Sequence, residues 1–399
     1  MRTEPKDRKQ AMLMYHVEHL SKAEICQRLS RSRPWLDRWL KRYIPGDVEH
    51  SLQGQKAGPK AYPGCWSSEI RQQVIGMRQE RSKEKKWRYA FMGAEAIHLE
   101  LKALGYKEVP PVRTIHTWLV QAGQVEHAAK QTEERESKPI PLPIADAVNR
   151  AQQLDLKGPV YLEGSSTKYY LGVLRDRYSH RCAIRVLHNK DAETIVDFLV
   201  AAWHCLGLGD YLQMDNALEF RGSNRYPRSF GKLVRVALDL GIEPVFNPPH
   251  EPWRNGSVEW FNSFIAERLL KIQFKDVDAF CSETKVCQDS CNQIHRLPAL
   301  DGLTPNEIAV KAILRLPPAD YQNDRTASLP QNHGFVSFVR LVRKSGRITL
   351  GANDRFMVDP ALAHSYVLAR VDLARKLVTI SFADKVIRTY DFSANTVVV

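Results

Sequence analysis

The sequence predicts a multidomain chain: two N-terminal α-helical helix-turn-helix domains, a central α/β domain with a mixed five-stranded sheet, and a C-terminal small β-barrel. Three observations lead there. Up to about residue 125, apolar residues recur at helical spacing. Between about 148 and 315, short apolar runs alternate with helical stretches, the pattern of an α/β domain. From about 333 onward, six strand-like runs are separated by turn residues. The length of 399 residues allows roughly two to four domains. The expected division is 1–50 and 67–125 for the helical domains, 51–66 and 126–147 for linkers, 148–318 for the α/β domain and 330–399 for the barrel.

In the first domain, Ser21-Lys22-Ala23-Glu24 has the form of a capping box opening a helix over Lys22 to Leu29. Ser32 is placed to cap the next helix, with Pro34 in its first turn, where a missing N–H costs little. Ile25, Leu29, Trp35, Leu36, Trp39 and Leu40 share the apolar side. The second helix carries Arg33 and Arg38, a surface suited to the major groove of duplex DNA. An ordinary helical hairpin with a solvated basic face would share these features.

After the Gly/Pro-rich stretch 46–66, helices are expected over Ile70 to Arg81, Ala94 to Leu104 and Arg113 to Ala122. The last makes a second helix-turn-helix, with Arg113 and Thr114 near its start as candidate DNA contacts. Residues 124–143 are polar and then Pro-rich, as linkers are.

The α/β domain opens with short strands at Gln153 to Asp155, Val160 to Leu162, Tyr169 to Leu174 and Arg181 to Val186. The near-continuous apolar run from Tyr169 to Leu174 is that of a strand buried on both faces. A helix over Ala192 to Leu206, a strand at Tyr211 to Met214, a helix over Phe230 to Leu240 and a strand at Pro244 to Phe246 follow. A Pro-rich loop, 247–255, leads into a helix from Gly256 to about Ile272. The terminal strands at Phe335–Val342, Arg347–Leu350, Arg355–Val358, Tyr366–Val371, Leu377–Phe382 and Lys385–Tyr390 read as a small barrel.

Composition narrows the function classes. With 43% hydrophobic and 26% charged residues, the chain is globular, which excludes global disorder and collagen. The net charge of +13 favours a polyanionic partner such as nucleic acid. No stretch is apolar enough to span a bilayer, and the opening MRTEPKDRKQ leads to the expectation of no secretory leader and no membrane partner. Seven cysteines without a CxxC pair fit a reduced, cytoplasmic compartment.

Three carboxylates stand where an α/β sheet gathers its chemistry: Asp155 in the first strand, Asp215 at the end of the fourth, and Glu259 on the helix after the Pro-rich loop. Singly, each has an ordinary explanation as turn, cap or solvated helix face. Converging, they repel one another unless they bind a cation. Oxygen-only ligands suit Mg²⁺, with Mn²⁺ as a substitute. Two such ions could activate the attacking oxygen and stabilise the leaving oxygen of a phosphodiester. Cys281, Cys287, Cys291 and His295 raise a rival zinc site, but one straight helix cannot easily wrap a tetrahedral ion.

The segment resembles the catalytic core of DDE transposases and retroviral integrases. The motifs follow in order: Gln153-Leu154-Asp155; the hairpin from Tyr170 to Ser179; Met214-Asp215-Asn216-Ala217-Leu218-Glu219-Phe220; Pro248 to Glu259 with Phe261-Asn262. The stretch His295 to Glu307 is similar to the segment closing the core in bacterial insertion-sequence transposases. The resemblance implies an RNase H-like fold and transposition: metal-dependent hydrolysis at transposon ends, then attack of the 3′-OH on target DNA. It implies Asp155, Asp215 and Glu259 as catalytic metal ligands. His250, Arg254 and Asn255 would orient DNA, and an oligomer would join two ends.

The sequence departs from the family pattern in three ways. Ala217 stands where Gly is usual and Trp260 where Arg is frequent. The spacing from Asp215 to Glu259 is long, a length that the polar stretch Arg221 to Ser229 accounts for. Glu251 lies at the more usual spacing, but in the loop and directly before Pro252. The alternative is a catalytically inactive, transposase-derived DNA-binding protein.

Overall fold

The computed structural model describes residues 5–53, 66–84, 87–125, 139–222, 225–249, 256–321, 333–351 and 354–395. The chain divides into two compact units, Met1–Trp66 and Ser67–Val399.

The first unit holds α1 (Pro5–His16), α2 (Lys22–Arg28), α3 (Arg33–Leu40) and the short α4 (Val48–Ser51). The capping box forms: the Ser21 hydroxyl accepts from Glu24 N–H, and the Glu24 carboxylate accepts from Ser21 N–H. Ser32 occupies the N-cap position of α3, yet its side chain makes no capping bond. Four residues join α2 to α3, with Ser30 in the left-handed region at φ 50°. Helix α1 has no counterpart in the sequence reading. Its apolar residues fall in one run, Ala11 to Met14, rather than in a stripe. Ala11 and Met12 nonetheless pack with Ile25, Leu36 and Trp39. Asp7 on α1 pairs with Arg31 at 2.5 Å, and Lys22 pairs with Asp37 at 2.8 Å, so ion pairs tie the three helices together. Leu52, inside the segment read as a linker, is buried in the same core.

The second unit opens with α5 (Ser68–Lys83), α6 (Ala94–Ala103) and α7 (Val112–Gln121), which close on Val74, Ile97, Leu101, Ile115 and Leu119. The connection from α6 to α7, residues 104–111, is longer than the three or four residues of a tight helix-turn-helix turn.

A mixed sheet then follows: β1 (Ala151–Tyr161), β2 (Lys168–Asp176), β3 (Cys182–Leu187), α8 (Ala192–Leu206), β4 (Tyr211–Met214), α9 (Leu218–Arg221), α10 (Lys232–Asp239), β5 (Glu243–Phe246), α11 (Gly256–Arg268), α12 (Val277–Gln293) and α13 (Pro305–Ala309). The two strands expected at 153–155 and 160–162 are one, with an irregularity at Gly158-Pro159 that absorbs the proline. From Leu171 to Asp176 every residue of β2 is buried. Its Leu174 meets the helices α8 and α10 on one face, while Leu171 and Val173 meet α11 and α12 on the other. At Gly172 a Cβ would lie 2.8 Å from the buried Phe198 ring, so this position admits no side chain without displacing α8.

The C-terminal strands correct the expectation of a separate barrel. They are β6 (Phe335–Leu341), β7 (Arg347–Leu350), β8 (Asp354–Met357), β9 (Tyr366–Asp372), β10 (Leu377–Phe382) and β11 (Lys385–Asp391). Among the described residues the main sheet has nine strands, in the order β11-β10-β9-β6-β5-β4-β1-β2-β3, with β7 and β8 forming a hairpin of their own. Strand β6 lies parallel to β5, pairing Val245 with Ser337 and Phe246 with Phe338. The physical reason is the open edge of β5, whose unpaired N–H and C=O groups take up the next strand. Val336, Phe338, Val371 and Ile380 join the same buried cluster as Leu154, Leu199 and Leu233. Residues 139–146 also belong to the fold: Ile140 and Leu142 pack on Val245 and Val339, and Arg177 donates to the Pro143 carbonyl at 2.8 Å.

Candidate active site

Strands β1 and β4 run parallel, with Gln153 opposite Gln213. The two glutamines are buried, and Gln153 Nε2 donates to Gln213 Oε1 at 3.1 Å. Gln213 Nε2 in turn donates to Asn247 Oδ1 at 2.7 Å, just past the end of β5. This row of amides runs from within β1 across β4 to the residue just past β5. Side chains alternate along a strand, so the next residue on the same face is Asp155 on β1 and Asp215 beyond β4. The register that joins the glutamines therefore puts Asp155 two residues further along β1 and Asp215 two residues past Gln213, just beyond β4. A Gln-x-Asp pattern, within β1 and again at the end of β4, is the sequence signal for this arrangement.

Both carboxyls are held above the ordinary aspartate range. Burial raises Asp155 most, and the charge of Asp215 adds to it; Lys157, the Leu156 N–H and Asn262 oppose. Partial burial also raises Asp215, against a hydrogen bond from the Ala217 N–H at 2.8 Å, and Glu219 adds to the rise. Lys157 stands 3.9 Å from Asp155. Glu219, a further acid near the site, accepts from Lys190.

Helix α11 crosses the other side of Asp155. Asn262, 2% exposed, donates to the Asp155 carboxylate through its amide nitrogen, and its Oδ1 is buried without a hydrogen-bond partner. The helix is anchored at its far end, where Arg268 donates to the Arg88 carbonyl at 2.6 Å. Phe264 and Trp260 pack against Phe91 at 5.6 and 5.5 Å between ring centroids. Glu259 lies on α11 one turn before Asn262, with its side chain outside the described residues. His250, Glu251, Arg254 and Asn255 also lie outside them.

The donor set fits a hard divalent cation. Asp155 and Asp215 have raised pKa values, and Asn262, bonded to Asp155 through its nitrogen, keeps a buried amide oxygen that lacks a donor. Among the described residues, no three His, Cys, Asp or Glu side chains gather to hold a metal. The rival cysteines are dispersed: Cys281 is exposed, while Cys287 and Cys291 pack beside Cys182 in the core. His295 donates to the Tyr89 carbonyl and stacks on Phe91. Asp176 is a turn residue, its carboxylate accepting from Ser179 N–H at 2.7 Å and Asn149 N–H at 3.0 Å.

The departures from the family pattern have local explanations. Ala217 sits at φ −56°, a conformation open to any residue, so glycine is not needed there. Trp260 serves the contact between α11 and Phe91.

Away from the sheet, Arg33 and Arg38 are exposed on α3. Arg113 is exposed and Thr114 half-buried in the first turn of α7. The sequence reading missed Asn262 as an individual contact, although its motif contained it. It also missed Arg340 of β6, which donates to Asn216 Oδ1 at 2.8 Å beside Asp215. No local pattern marks that arginine.

Among the described residues, no helix is long and apolar enough to cross a membrane. Comparison with known structures aligns the chain with retroviral integrases. The HTLV-2 integrase catalytic core domain is 18% identical, over 42% of this chain and 99% of that one, with a TM-score of 0.33. The BIV integrase core is 18% identical, over 41% and 95%, with a TM-score of 0.32. A chain of the simian T-cell lymphotropic virus intasome in complex with PP2A regulatory subunit B56 gamma is 15% identical, over 76% and 93%, with a TM-score of 0.37. Superpositions this loose leave the weight on the geometry of the chain itself. No curated protein matches by sequence. Residues 2–49, the segment of α1 to α3, match the homeodomain-like domain family.

Proposed function

We propose that the chain is a DNA transposase or integrase that cuts phosphodiesters at the ends of a mobile element and joins the freed 3′-OH to target DNA. The observation that carries this reading is the parallel register of β1 and β4, which carries Asp155 on one strand and Asp215 just past the other, with Asn262 of α11 bonded to Asp155. Glu259, one turn earlier on that helix, is the natural third carboxylate. The homeodomain-like segment supplies a duplex-binding module in the same chain, and the net charge of +13 favours the polyanion.

Asp155, Asp215 and Glu259 would hold Mg²⁺, or Mn²⁺ in its place, as a pair of ions. Bound there, the ions would supply the Lewis acid for in-line phosphoryl transfer. The chain's own residues do the positioning. The Gln153–Gln213–Asn247 row ties together the strands that carry the two aspartates, and Asn262 fixes the orientation of Asp155. Lys157 places positive charge beside the site, where a DNA phosphate would lie. Arg33 and Arg38 of α3, with Arg113 and Thr114 of α7, would bind element ends, and His250, Arg254 and Asn255 would guide DNA near the carboxylates. Joining two ends calls for a homo-oligomer.

The test is a strand-transfer assay with DNA carrying the element's ends, in Mg²⁺. Wild type should give joined product and Asp215→Asn none. Equal yields from both would overturn the assignment of catalysis to this site. Tight end binding without any cleavage by wild type would instead identify a catalytically silent DNA-binding protein.

A further inference from the structure

Arg340 lies near the C-terminal end of β6 and is 4% exposed. Its guanidinium uses all three nitrogens. Nε donates to the Thr349 carbonyl at 3.0 Å, Nη1 to the carbonyls of Asn247 at 3.1 Å and Val339 at 2.9 Å, and Nη2 to Asn216 Oδ1 at 2.8 Å. These acceptors are neutral: three main-chain carbonyls and one amide. Its guanidinium also lies 5.0 Å from the Phe338 ring centroid. Burying a cation against neutral oxygens alone is costly, and an aliphatic side chain would serve packing better. The geometry of the acceptors gives the reason for its presence.

Asn216 follows Asp215 directly, and both ends of its amide are engaged. Its Oδ1 accepts from Arg340, and its Nδ2 donates to the Asn247 carbonyl at 2.6 Å, the same oxygen that Arg340 Nη1 reaches. Asn247 N–H donates to the Met214 carbonyl at 2.9 Å. On its other side, the turn is closed by the Ala217 N–H on Asp215 Oδ1. The ends of β4 and β5 are thus clamped by one planar fork from β6.

We infer that Arg340 is a positioning residue for Asp215, acting through Asn216, and that the C-terminal sheet extension is thereby part of the metal-binding centre rather than an independent DNA-binding module. This rests on the reading of Asp155 and Asp215 as cation ligands. Lysine cannot replace the arginine, because one ammonium cannot span acceptors on three strand ends.

The test is Mn²⁺ binding to the full-length protein, followed by electron paramagnetic resonance, with melting temperature and metal-free binding to end DNA measured in parallel. Arg340→Lys and Asn216→Ala should each weaken Mn²⁺ binding about tenfold, the loss typical of residues that orient metal ligands. End binding should stay within about twofold of wild type, as phosphate contacts are made elsewhere. The double variant should be no weaker than the weaker single one, since the two residues form one link. Wild-type Mn²⁺ affinity in either variant, or losses that multiply in the double variant, would overturn the inference. If Arg340→Lys does not fold, Asn216→Ala decides by the same criterion. Wild type that binds no Mn²⁺, or Asp215→Asn that binds it undiminished, would overturn the site reading itself and this inference with it.

Discussion

Gln153 on β1 donates its side-chain amide to Gln213 on β4 at 3.1 Å, a buried bond between register partners that each lie two residues before a candidate metal-binding aspartate. A slip of one residue would turn one carboxylate to the opposite face of the sheet. Gln153→Leu would keep the volume but remove the buried donor to Gln213 Oε1. The expected cost is about 1–3 kcal/mol of unfolding free energy. Urea denaturation measures it, and an unchanged midpoint would show that the register is held by other contacts.

Cation binding at the strand ends should be visible as stabilisation. Asp155 and Asp215 are raised by burial, so the folded protein carries a cost for their charge that a divalent ion relieves. Mg²⁺ at about a hundredfold over its dissociation constant should stabilise wild type by about 2.7 kcal/mol. The double variant Asp155→Asn/Asp215→Asn should show no Mg²⁺-dependent shift in melting temperature, and in EDTA it should melt no lower than wild type. A shift that survives in the double variant would place the ion elsewhere.

DNA binding through α3 predicts a definite salt signature. Arg33 and Arg38 are exposed, whereas the neighbouring Arg31 is committed to Asp7. If each exposed arginine neutralises one phosphate, Arg33→Ala or Arg38→Ala should reduce the slope of log K against log salt by about 0.9. Fluorescence anisotropy across a salt series reads this directly. Arg31→Ala should act instead through stability of the N-terminal unit, lowering its melting temperature.

Acid should destabilise the second unit through His295. Burial lowers its pKa to about 4; the bond to the Tyr89 carbonyl opposes this, and Arg175, Arg268 and Arg81 add to the lowering. The folded state therefore holds the neutral ring, while the unfolded chain takes up a proton near the ordinary histidine pKa of about 6.5. The contribution is complete above pH ~6.5 and is lost as pH falls through the folded-state value, by up to about 3 kcal/mol. His180 shifts the same way, also to about 4, so the comparison must be between variants. His295→Gln can still donate to Tyr89 but does not titrate. Its unfolding free energy should fall less steeply than that of wild type between pH 6.5 and 4, and parallel curves would refute the assignment.

Much of the fold was legible in the residues because it rests on short-range rules. The Ser21–Glu24 capping box, the doubly buried run in β2, the helix from Ala192 and the six C-terminal strands all follow from patterns within a few neighbours. Helix α1 escaped because its apolar residues form a run and not a stripe, and only packing against Ile25 and Leu36 shows which of them face inward. The carboxylates at 155 and 215 could be singled out because one lies within a short apolar strand and the other directly follows one.

The amino-acid sequence by itself determined most of the helices and strands and the two Gln-x-Asp patterns, since propensity, periodicity and capping are properties of adjacent residues. Only the tertiary structure decided that β6 extends the sheet from the edge of β5, that Asn262 meets Asp155 from 107 residues away, and that Arg340 reaches Asn216 from 124 residues away. Those choices depend on which open strand edge and which buried donors and acceptors remain to be satisfied once the chain has collapsed, and that is a property of the whole packed unit.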